Sequence, residues 1–117
     1  MRKTKNNFGK RLGEEAKLRG AFFRKYLDKE VILTGNILTT HDVLSVGYVG
    51  KSVLFGNLNI NNIGHIWIHR NEFKNFNVET ADWSIPITIK GTVYQYSRCY
   101  KGKVWIVKYS LKNVEVL

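Results

Sequence analysis

The sequence predicts a mainly β domain preceded by one basic helix, and three observations carry that reading. From residue 30 onward, β-branched and aromatic residues alternate with polar ones at the two-residue period of strands. Asn61, Asn62 and Gly64, and later Gly102, interrupt these runs where turns are required. The first 29 residues instead hold ten basic and three acidic side chains, against nine and six in all the rest. That asymmetry within a net charge of +10 points to a basic arm held against a polyanion.

At 117 residues the chain fits one β domain over 30–117 with a helix or arm over 1–29, large enough to bury its own core. One proline and 44% hydrophobic residues place it among globular rather than disordered chains. A single cysteine, Cys99, forms no internal disulfide, so a reducing compartment is the simpler expectation. The basic opening has no apolar stretch behind it, and no run approaches the roughly 20 apolar residues of a spanning helix. A cytoplasmic protein without membrane contact is therefore expected.

In chain order, Asn6 or Asn7 can cap a helix over about 10–27 that sets Phe8, Leu12, Ala16, Phe23 and Leu27 near one stripe. Arg11, Lys17, Arg24 and Lys25 fall mostly outside that stripe and form a secondary basic surface, or simply a solvated face. Gly13 and Gly20 each weaken the helix by about 1 kcal/mol, so its order depends on the domain or a ligand. Residues 30–40, EVILTGNILTT, read as the first strand, with Gly35 marking a bend that lets one strand serve both halves of a small barrel. Residues 41–50, a loop or a ragged strand extension, read as the mobile connection between the first two strands.

Residues 51–70, KSVLFGNLNINNIGHIWIHR, read as two adjacent strands. Leu54, Leu58 and Ile60 are expected to face the core. Phe55, Trp67, His65 and His69 then occupy the other face, where an ordinary solvated strand carries Lys, Glu or Thr. Residues 71–84 have neither period, and Phe73, Phe76 and Trp83 suggest a short helix or packed loop capping one end. Ile85, Ile87, Ile89 and Val93 then alternate with Thr88, Lys90, Thr92, Tyr94, Tyr96 and Arg98 in the clearest half-buried strand. Pro86 at its start costs no ladder bond, Gly102 turns the chain, and 104–109 return as the partner strand. Five strands with a cap between the third and fourth is the order of an OB-like barrel; an SH3-like barrel is the nearest alternative.

The run from Val31 to Leu117, with GHIWIHRNEF after the second strand and IKGTVYQYSR and KYSLKNVEVL at the end, resembles small OB-fold proteins of Gram-positive phages and mobile elements. There a strand of the form D-H-[LIV]-W precedes K-F-G-K-V-x-x-Y and a final N-V-x-[IVL]-L. The chain departs from that pattern at Gly64, where the group has an acidic residue, and in its basic helix. The resemblance implies a fold and a replication or mobile-element setting.

Flat rings beside cations are what stacking of unpaired bases on a neutralised backbone requires. Lys51, Phe55, Trp67, His69 and Arg70 form the first part of the expected nucleic-acid surface, and Tyr94, Tyr96, Arg98, Tyr100, Lys101 and Lys103 the second. The bland counterpart is that Phe55 and Trp67 pack beneath the helix. No phosphate loop, nucleophile elbow or zinc-protease motif occurs. His65 and His69 would lie about 13 Å apart on a strand, too far to share one ion. Glu79 and Asp82 lie close together in the expected cap without a wider carboxylate cluster, and Cys99 beside Arg98 has no general base placed by sequence. The expectation is a non-enzymatic protein without cofactor or metal. Its expected partner is single-stranded DNA, or RNA; the competing partner is a host or mobile-element replication, transcription or defence protein met through the same patch.

Overall fold

A computed structural model describes the backbone of residues 2–45, 48–100, 102 and 104–117, and the side chains of these except 2–12, 43–45, 48–49, 98, 100 and 104. Helix α1 (Arg2–Lys25) leads into one mixed sheet of β1 (Glu30–Ser45), β2 (Tyr48–Gly56), β3 (Ile66–His69), β4 (Phe73–Lys74), β5 (Ile87–Tyr100) and β6 (Val104–Val116). A 3-10 turn, η1 (Arg70–Glu72), joins β3 to β4. The sheet order is β3-β2-β1-β5-β6-β4, antiparallel except for the β4–β6 pair. Among the described residues no helix is long and apolar enough to cross a membrane.

The bend expected at Gly35 organises this sheet. Glu30 to Gly35 pair with β5, whereas Asn36 onward pairs with β2, so β1 changes partner at the glycine. A Cβ on Gly35 would stand 2.4 Å from the Gly56 carbonyl oxygen, a backbone approach open to glycine alone. The ladder shifts again between Ile37 and Thr39, adding curvature just beyond the handover.

Four expectations are corrected. The five strands expected of an OB-like barrel are six in one open mixed sheet, because the chain after β3 turns through η1 and returns as β4 on the far side of β6. Residues 41–45 and 48–50, expected as a mobile connection, continue β1 and β2 in register. The second strand stops at Gly56 because Asn57 takes the left-handed conformation, φ 51°. Leu58 and Ile60 thus belong to the connection, where Asn59 binds the Thr34 backbone from both its amide and its side-chain oxygen. The helix starts at Arg2, so Asn6 and Asn7 lie inside it rather than at its cap.

The core assigns faces that alternation alone left open. Val53 and Phe55 of β2 pair with Ile68 and Ile66 of β3, and all four are buried together with Leu33, Ile89, Val93 and Leu111. Phe23 brings α1 into the same cluster at 1% exposure, with Phe22 edge-on to it at 5.1 Å. Ala16, expected on that stripe, is exposed, and Phe8 and Leu12 lie outside the described side chains. Phe55 is fully buried, so it is a core residue and not a stacking platform. Phe55→Ala should cost about 3–5 kcal/mol of stability through the cavity it leaves. Chemical denaturation compared with Trp67→Ala, at a half-buried site, checks this: the Phe55 loss should be the larger.

Midway along, α1 rests on the turn before β3. Arg19 donates to the Ile63 carbonyl at 3.0 Å and lies 3.4 Å from Glu15, whose carboxylate is 3.9 Å from His65 Nδ1. Burial and the Arg19 charge hold the His65 pKa below its ordinary value, with Lys108 adding to them and Glu15 opposing. The unfolded chain therefore binds the proton better, and the stability this group contributes is present above pH 6.5 and lost as pH falls through the lowered folded value. Denaturation midpoints of His65→Gln should fall less steeply than the parent's as pH drops below 6.5.

Candidate nucleic-acid interface

Residues that alternate away from the core on neighbouring strands form one outer surface, which can be followed by register. His41 on β1 faces Ser52 on β2, Ser52 faces His69 on β3, and Leu54 faces Trp67. The His41 ring meets the Trp67 ring edge-on at 5.2 Å. Across the open seam Ser110 of β6 donates its hydroxyl to the Trp67 carbonyl at 2.8 Å, tying the β3 edge to β6. Ser110 in turn faces Tyr94, and Lys108 faces Tyr96. The Tyr94 and Tyr96 rings lie 6.1 Å apart at 39°.

This outer strip carries two ring pairs, His41 with Trp67 and Tyr94 with Tyr96, linked through the Ser110 bond between β6 and β3. The sequence named Trp67, His69, Tyr94 and Tyr96 but not what joins them. Lys108 and His41 join that surface, with the buried Ser110 as the link beneath it, and the β3–β6 seam and the β1–β2 register bring them there. The alternation of β5 and β6 held a partial signal, since Lys108 and Ser110 share a strand parity.

The remaining expected residues are distributed differently. Lys51 and Arg70 converge on Glu79: Lys51 Nζ lies 3.8 Å from its carboxylate, and Arg70 hydrogen-bonds it. That hydrogen bond and the two positive charges hold the Glu79 pKa below the usual carboxylate range. Both cations are thus partly neutralised before any phosphate arrives. Arg98 and Tyr100 stand on β5 with side chains outside those described, and Lys101 and Lys103 lie outside the described residues. On α1, Lys17 and Arg24 are exposed, Lys25 sits 5.9 Å from the Tyr26 ring centre, and the Arg11 side chain lies outside those described.

The carboxylates of Glu79 and Asp82 are committed elsewhere. Glu79 serves Arg70 and Lys51, while Asp82 accepts hydrogen bonds from the Ser84 hydroxyl at 2.6 Å and amide at 3.0 Å. Among the described residues no group of three or more His, Cys, Asp or Glu side chains could hold a metal ion. What this surface offers is half-buried aromatic rings, hydrogen-bonding groups and positive charge. No protein-family model matches the chain, and no curated protein or solved structure is found to be similar to it, so nothing there links it to the phage and mobile-element proteins its strand patterns resemble.

Proposed function

We propose that this chain is a non-enzymatic single-stranded nucleic-acid-binding protein, acting on DNA in the first instance, with an OB-like barrel as its scaffold. The observation that carries the reading is the outward-facing set of Trp67 with His41 and His69 and of Tyr94 and Tyr96 with Lys108, linked by the Ser110 bond. Stacking on such rings is tolerant of sequence, because every base has a π-face. The barrel reading rests on the handover in β1, on the three residues that carry the chain from one sheet edge to the other, and on the Ser110 to Trp67 bond between those edges. A small barrel that presents its strand 2 and 3 surface is a common platform for oligonucleotides. The replication or maintenance of a phage or mobile element is the setting that the strand patterns imply.

Ring and charge contributions separate by their salt dependence. Trp67→Ala and Tyr96→Ala should each weaken binding of a labelled oligo-dT by about 1–3 kcal/mol while leaving the slope of log K against log salt nearly unchanged. Lys108→Ala should flatten that slope by about 0.7, one phosphate contact on a single strand. Fluorescence anisotropy at several salt concentrations, on variants shown by circular dichroism to be folded, measures both. If the folded ring variants bind like the parent, the stacking strip is wrong and the surface is merely cationic.

A further inference from the structure

The face of the β5–β6 hairpin opposite the tyrosine strip has its own chemistry. Trp105, Val107 and Tyr109 alternate along β6 on that side, and Trp105 is 71% and Val107 50% exposed. Exposed apolar side chains in series on a surface strand mark a contact site. Helix α1 runs beside this face and leaves an open groove of about 360 Å³, with Val107 and Tyr109 on one wall and Ala16, Gly20 and Ala21 on the other. A Cβ on Gly20 would meet nothing within 4 Å, so the groove has room there for an incoming side chain.

Lys17 and Arg24 also line the groove, and among the described residues neither makes an ion pair. Their charge selects the occupant. A second copy would bring the same two cations and a further net charge of +10 against them. A nucleic acid would satisfy the charge, but its bases need successive flat platforms, and the groove offers one ring among aliphatic walls. Carboxylates interspersed with apolar side chains satisfy both halves, since the Arg24 guanidinium matches a carboxylate in shape and the walls take aliphatic or aromatic groups.

We propose that this groove docks an acidic amphipathic peptide segment of a partner protein, its apolar side chains on Val107, Tyr109 and Trp105 and its carboxylates on Lys17 and Arg24. The proposal does not depend on nucleic-acid binding by the opposite face.

The test uses the full chain and a fluorescein-labelled twelve-residue peptide of Asp, Glu, Leu and Phe. Two control peptides replace its acidic residues with Lys or its apolar residues with Ser. The acidic apolar peptide should bind at least about ten-fold tighter than either control. Gly20→Leu places a side chain in the groove and improves helix propensity, so the variant should fold and lose the peptide by about ten-fold or more. Lys17→Gln with Arg24→Gln should lose it as well, while Gly20→Leu keeps the parent's oligo-dT affinity. Binding equal to that of the Ser control, or unaltered binding by folded Gly20→Leu, would overturn the proposal. So would a Gly20→Leu variant that loses oligo-dT instead of the peptide, or parent self-association that this substitution abolishes.

Discussion

The arrangement depends on the contact between the Gly35 backbone and the Gly56 carbonyl. A strand that pairs with β5 through one half and with β2 through the other must turn its hydrogen-bonding direction within a residue or two, and the strand crossing it must pass almost within backbone contact. Only there can the two ladders share one core, so that Leu33 and Ile37 of β1 pack with both Phe55 and Ile89. The outer strands of the sheet, β3 and β4, are separated by three residues of chain. The Ser110 to Trp67 bond links β6 to β3.

Charge is distributed less simply than the net value suggests. Near the end of β3, Glu79 draws in both Lys51 and Arg70, and on β5 Lys90 lies 3.6 Å from Glu115 and 4.0 Å from Glu30. These exposed pairs add little to stability, but they remove cations from the pool available to an anionic partner. Lys108 on the strip and Lys17 and Arg24 beside α1 make no such pair among the described residues. Positive charge that can meet a ligand thus sits on both sides of the β5–β6 hairpin.

What was legible in the sequence was whatever one residue type or one short period dictates. The bend at Gly35, the turn at Gly102 and the alternation of Ile89 and Val93 with Thr92 and Tyr94 all needed only local chemistry. The alternation of the second strand runs on through Leu58 and Ile60, which are apolar and in phase with Leu54, and so it assigns the faces of that strand the wrong way round. A left-handed Asn57 breaks that phase, and a slip of one residue exchanges the faces of the whole strand, which is why Phe55 was placed outside. His41, Lys108 and Ser110 were overlooked for a different reason: each acquires its neighbour through pairing across strands distant in sequence. Their role lies in the topology, and no local pattern contains it.

The two faces of the hairpin are not independent in their support. Beyond Thr92, β5 pairs only with β6, and a two-stranded ribbon in water is marginal unless something packs on it. The core continues under Val93 and Leu111, and further out the ribbon meets α1 at Tyr109 and Val107 and the β3 edge at Ser110. Helix α1 is itself weakened by Gly13 and Gly20 and is held by Phe23 in the core and by the Arg19 contact with Ile63. The position of Tyr94 and Tyr96 over the strip therefore rests on a ribbon that the helix braces from behind. The turn at 61–64 adds to this hold by giving Arg19 a carbonyl to bind, and Gly64 suits the turn through its left-handed backbone, φ 72°.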